Sequence, residues 1–284
     1  MKSLKFGILS FLIVLLLMPI GHALMVINEI LMKDSKLLGA GLIGVLGAAL
    51  LIMGIIKNKN RAVASILGLL AGILIWTGWV EFSFVWIADK LHIAPYMENG
   101  KVATKPEYLV MLSSIGLLGT LGLFYAFSRT HCTLIVWFQK VFRYKDQLVQ
   151  KSYIEKPLAI VTFMETIIII WSFYILLLLV YDQDIFGDRH PATYIVAYGS
   201  LIWSAFLIAN LLRIQKFDYA IRYAIPTVVI FWNFIEVAGR WGWFKEIWVH
   251  PKEHWIEIIT MTAIFSGVLI YYFKNTSTKQ PINQ

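Results

Sequence analysis

Apolar residues run for about 20 positions at a time along this chain, at roughly 6–28, 37–56, 62–80, 108–127, 158–180, 192–212, 219–235 and 255–273. Each run has the length an α-helix needs to cross about 30 Å of hydrocarbon. The pattern predicts eight transmembrane helices and an all-α integral membrane fold. Polar residues fall between the runs, with two departures. Glu165 sits well inside the fifth run, where a carboxyl would serve helix packing or a proton step. The stretch Trp232–Glu257 sets five tryptophans, an arginine and two histidines among glutamates, too much polarity for a plain span.

The second half of the chain echoes the first. Glu81, Trp86 and Lys90 fall opposite Glu236, Trp241 and Lys245 at an offset of 155, and Pro95 opposite Pro251 at 156. Beyond the loop YMENGKVATKP the offset drops to 146, with Glu107 opposite Glu253 and Tyr108 opposite His254. A tandem duplication of a four-helix unit follows, with segments 1–130 and 157–274 as the two repeats. Because four is even, the repeats are expected to lie parallel about an axis along the membrane normal. Between them 131–156 alternates apolar residues with Lys140, Arg143, Lys145 and Lys151, which suits either a basic linker or a helix lying on anionic lipid. The tail 275–284 reads as disordered.

Composition agrees with the hydropathy: 59% of residues are hydrophobic and 15% charged, against about 25% charged in a soluble domain. The single cysteine, Cys132, excludes an internal disulfide and a cysteine-based metal site. The charged N-terminus and first apolar run, ending at Gly21-His22-Ala23, also resemble a cleaved signal peptide, but the run exceeds a signal core of about 7–15 residues. With Lys2 and Lys5 inside, 16 of the 25 Lys/Arg fall on the cytoplasmic side and nine outside, so both termini are expected to be cytoplasmic in the cell membrane. Thirteen of the 17 Asp/Glu fall on the outer side. Acids contribute little to orientation, so that acidic face calls for either a solvated loop surface or a site.

Three groups of outer residues bear on that choice. Asp182, Asp184, Asp188 and His190 lie within nine residues, a carboxylate-and-imidazole set that hard or borderline cations favour; a polar turn before Pro191 explains them equally. Glu236 and Arg240, four apart on one helical face, suit an intrahelical ion pair. Pro251 is expected to open the last helix, so that His250, His254 and Glu257 share a face with Glu253 beside them. An i, i+4 histidine pair can offer two nitrogens to one metal, although both rings also suit an aromatic belt with Trp248 and Trp255.

The aromatic run WGWFKEIWVHP, Glu246, Pro251 and His254-Trp255 resemble the C subunit of the particulate methane and ammonia monooxygenases, membrane enzymes that oxidise small inert molecules with copper. The resemblance covers roughly 180–273. Glu236 stands where that family has asparagine, Arg240 where it has a ligand histidine, and Asp188 where Asp184-x-x-x-His is expected. Arginine has no lone pair to give a metal. The resemblance implies Asp184, His190 and His254 as ligands of a copper or iron ion, and His250, Glu236 and Glu253 would be additions of this chain.

The first functional expectation is therefore a metal-dependent, monooxygenase-like membrane oxidoreductase, or a subunit of one, with an Asp/Glu/His site at the outer leaflet and a small or lipophilic substrate. The tryptophan-rich wall would exclude water from it. The second is a non-enzymatic transporter or assembly subunit whose polar groups line an outward-facing cavity; Pro226 is the one break expected in its helices. A lipid-modifying transferase would want paired acids in both units, and Asp182-x-Asp184 has no counterpart near Asn28-Glu29. The expected partners are the lipid bilayer and either other membrane subunits or further copies of the chain, with no nucleic acid.

Overall fold

The computed structural model of the chain describes residues 2–98, 101–126, 141 and 157–277. The linker at 131–156, Val141 apart, Cys132 and the tail from 278 lie outside the described residues. The N-terminal part of the chain contains α1 (Lys2–Met32), α2 (Lys36–Ile56) and α3 (Arg61–Ile75). A π-helical turn, Trp76–Glu81, joins α3 to α4 (Phe82–Lys90). A two-stranded antiparallel hairpin, β1 (Tyr96–Glu98) and β2 (Lys101–Thr104), leads to α5 (Pro106–Leu112) and α6 (Ile115–Ala126). The C-terminal part contains α7 (Leu158–Tyr181), α8 (Pro191–Leu211), α9 (Phe217–Arg240) and α10 (Trp255–Ser277).

Among the described residues the fold is all-α apart from that hairpin, and it is membrane-embedded in character. Among the described residues six helical stretches are long and apolar enough to cross a bilayer: Leu4–Ile56, Arg61–Lys90, Leu158–Tyr181, Pro191–Leu211, Phe217–Arg240 and Trp255–Phe273. The pair formed by α5 and α6, bent by 43°, makes up to seven. The first stretch, 53 residues long, would extend about 80 Å as one straight helix. It is interrupted instead at Lys33–Ser35, where Lys33 takes a φ of 40°. The Asn28 side chain donates to the Lys36 carbonyl at 2.9 Å across that break.

Small residues bring the helices together, as in membranes, where apolar burial alone does not drive helix association. A Cβ on Gly72 of α3 would stand 2.7 Å from the Thr166 Cβ of α7, and Gly68 faces the Ala159 backbone of the same helix. The principal helix pairs are α2 with α3, α8 with α9, α3 with α7, and α1 with both α9 and α10. The bundle has two distinguishable ends. At one, Arg61 pairs with Asp218 and the Leu158 amide donates to Asn58, both across more than 90 residues of chain. At the other, Lys36 pairs with Asp89 and Arg240 with Asp188.

Several expectations from the apolar pattern are corrected. Pro226 lies inside α9 without breaking it; the break falls in the third run, as the π turn. There Gly78 lies against Gly44 and the Ala40 carbonyl, and Trp79 Nε1 donates to the Gly41 carbonyl at 3.2 Å, so α2 is seated against the widened turn. The run at 108–127 bends at Ser113–Ser114. The last helix starts at Trp255 rather than Pro251 and continues through Ser277, past the expected start of the tail. Glu165 is not alone: Arg222 meets it from α9. Its Nε donates to Glu165 Oε2 at 2.8 Å and its Nη2 to Oε1 at 2.5 Å, with both residues buried.

Candidate functional site

At the Arg240–Asp188 end of the bundle, side chains of α1, α5, α7, α9 and the 241–254 segment enclose a chamber of about 1050 Å³. Its inner wall is aromatic. Trp232 of α9 and Tyr174 of α7 both stack near-parallel to His22 from α1, with ring centroids 6.3 and 6.4 Å away. The His22 Nδ1 lies 3.1 Å from the Met18 carbonyl, which can only accept, so Nδ1 donates. That leaves Nε2 to face Glu236 Oε1 at 3.8 Å. Trp232 Nε1 donates to the same carboxylate oxygen at 2.6 Å. Tyr174 donates to the Tyr108 hydroxyl at 3.2 Å.

The outer part of the chamber is organised by the end of α9. Gly242 takes a φ of 78°; its amide donates to the Gly239 carbonyl at 2.8 Å and the Trp243 amide to the Ala238 carbonyl at 3.1 Å. This is the glycine-dependent closure of a helix C-terminus, and it turns the following segment back over the cavity. Arg240 forms a two-pronged bond to Asp188, Nε to Oδ1 at 2.9 Å and Nη2 to Oδ2 at 3.0 Å. Its guanidinium lies 4.1 Å from the centroid of the Tyr181 ring, a favourable stack of cation on aromatic face. Trp241 Nε1 anchors the same loop through the Asp188 carbonyl at 2.8 Å. Glu246 folds back onto Gly239, where any side chain would strike its carboxylate. Burial raises the Glu246 carboxyl to about 7, and the nearby Glu236 carboxylate adds to the effect.

Four of the six residues expected to hold a metal line this chamber: Glu236 on its wall, and His250, Glu253 and His254 toward its rim. Asp184 and His190 do not. Asp184 is exposed in a turn in which its amide bonds to Asp182, and His190 caps α8, its Nδ1 accepting from the Ala192 amide at 3.2 Å. His254 is occupied with Glu257, 3.3 Å away. The anticipated Glu236–Arg240 ion pair is replaced by Glu236 with Trp232 and His22, and by Arg240 with Asp188.

Among the described residues no group of three His, Cys, Asp or Glu side chains could hold a metal ion. The donor set therefore does not fit the copper or iron centre that the resemblance implies. Sequence reasoning passed over His22, Tyr108, Tyr174 and Tyr181. For His22 a signal existed, since a histidine near the end of an apolar run is costly without a partner. For the tyrosines there was none, because aromatic residues are ordinary throughout membrane spans. Comparison with protein families, with curated proteins and with solved structures finds no match to this chain.

Proposed function

We propose that the chain is a multi-pass membrane protein of the transporter or binding-subunit class, whose chamber takes an amphipathic organic cation from the outer leaflet. One observation carries this reading: an aromatic-walled chamber of about 1050 Å³ holds two carboxylates, Glu236 and Glu246, with the Trp232 indole and His22 against Glu236. Of the cations nearby, Arg240 holds Asp188 in a two-pronged bond and Lys105 lies 3.8 Å from Glu107. Lys245 is solvent-exposed. Aromatic faces around a carboxylate favour an ammonium head, while the apolar wall accepts an alkyl chain. Two carboxylates that repel each other gain most from a positive ligand. A metal oxidoreductase would need three donors converging on one point, which these residues do not supply, so no step is assigned to a metal.

The same reading takes the membrane crossings as eight, with α1 and α2 counted separately and α5 with α6 as one bent span. It takes the chain as two parallel repeats in the cell membrane. The helix pairs support this: α1 lies against α9 and α10, while its counterpart α7 lies against α3, α5 and α6. The excess of Lys/Arg on the Arg61–Asp218 side supports cytoplasmic termini, with the chamber opening outward.

Binding is tested with the protein in lipid nanodiscs, using dodecylamine, dodecanol and dodecanoate against empty nanodiscs. Quenching of tryptophan fluorescence should follow the amine preferentially, and Glu236→Gln should weaken it about tenfold, or about 1.4 kcal/mol. Equal binding of the three head groups, or no loss in Glu236→Gln, overturns the reading.

A further inference from the structure

Two carboxylates share the chamber, and the backbone of α9 sets where they stand. Glu236 and Gly239 are three residues apart and lie on one face of that helix. The Glu246 carboxylate rests on Gly239, in the space a Cβ would take. Both acids line the chamber, so a residue without a side chain seats Glu246 about one helical turn from the position of Glu236. Like charges gathered in one site disfavour joint ionisation. Here burial first, and then the Glu236 carboxylate, raise the Glu246 carboxyl to about 7. Glu246 is half-buried rather than sealed, so a proton that leaves it passes to water.

We propose that Glu246 gates the chamber by pH: an ammonium head seated by Glu236 expels the proton of Glu246 to solvent, and acidification returns that proton and releases the ligand. The inference rests on the chamber being a cation site. One O–H bond of Glu246 breaks and its proton goes to water as one positive head group arrives. The total charge of the chamber is therefore the same before and after binding. Medium more alkaline than neutral favours the occupied chamber, and acidic medium the empty one.

The charged and titratable groups around Glu246 set the strength of this exchange. α9 brings Glu236 and Arg240 and α1 brings His22, the last two opposing the hold on the proton. Asp188 occupies Arg240 from the loop before α8. The other sides of the chamber carry Tyr174 and Tyr181 of α7, then Lys105 and Tyr108 at α5. The 241–254 segment itself adds Lys245, His250, Glu253 and His254. An imidazole that loses its proton as pH rises would favour a cation in the same direction, so the variants must separate His22 from Glu246.

The test is binding of dodecyltrimethylammonium, whose charge is fixed at every pH, to the protein in nanodiscs against empty nanodiscs. If the head group weakens the hold of Glu246 on its proton about tenfold, Kd should fall about fivefold from pH 6 to pH 8. Calorimetry in buffers of different protonation enthalpy should then find about half a proton released per ligand near pH 6.5. Both effects should vanish in Glu246→Gln, in protein that elutes as a single species. Gly239→Ala keeps both acids but pushes the flexible end of Glu246 off α9, and should lose most of both effects. Equal binding by the wild type at the two pH values overturns the gate and leaves the chamber reading standing. So does a pH dependence that survives in Glu246→Gln, as one carried by His22 would. A pH dependence unchanged in Gly239→Ala overturns the seat on α9. No binding at either pH overturns the chamber reading, and the gate with it.

Discussion

At the scale of single residues, the chamber is governed by how its charges are paired and how deeply they are buried. Arg240 and Asp188 neutralise each other, and Tyr181 covers the guanidinium. At Glu246, burial and the Glu236 carboxylate outweigh the opposing pull of His22 and Arg240. Its carboxyl moves from the ordinary 4.5 to about 7, so the folded state holds this proton more tightly than the unfolded chain. The stabilisation it gives is complete below about 4.5 and is lost as pH rises through about 7. Thermal midpoints in nanodiscs should fall for the wild type across that window and stay level for Glu246→Gln. An equal fall in both assigns the pH dependence to other groups.

Among the helices, the Glu165–Arg222 pair is the strongest polar tie between α7 and α9. Breaking a buried pair leaves a charge with neither water nor partner, at about 3–5 kcal/mol, whereas replacing both residues by apolar ones of similar volume is often neutral. Arg222→Ala should therefore destabilise the protein by about that amount, and Glu165→Leu combined with Arg222→Met should recover most of the loss. Equilibrium unfolding in detergent measures both variants. A loss in the double variant as large as in Arg222→Ala would mean that the pair is not the source. The same element scale explains why helix ends were read less well than helix centres. Trp255 rather than Pro251 starts α10 because the 241–254 segment is drawn onto the chamber by Gly242, Trp241 and Glu246. No propensity rule for an isolated helix includes those contacts.

For the molecule as a whole, the two ends differ in chemistry as well as position. The Arg240–Asp188 end carries the chamber and acidic residues such as Asp182, Asp184 and Asp89, and the Arg61–Asp218 end carries Lys57, Lys59, Arg213 and Lys216. In a Cys132→Ser background, Phe186→Cys should react with an impermeant maleimide on intact cells. Lys59→Cys should react only after the membrane is opened. The reverse labelling would put the chamber on the cytoplasmic side.

Helix positions and the concentration of chemistry in Trp232–Glu257 were legible in the linear chain. Spanning length, hydropathy and the need to satisfy every backbone group in lipid act segment by segment. The partners of each polar side chain were not legible. Glu165 needed Arg222 from a helix 57 residues away, Glu236 needed His22 from α1, and Arg240 needed Asp188 from a loop. Spacing along one helix had paired Glu236 with Arg240, and the resemblance had gathered His190 with His254. Only packing decided otherwise, because a charged group in a low-dielectric interior settles on whichever opposite charge or donor the fold brings within reach.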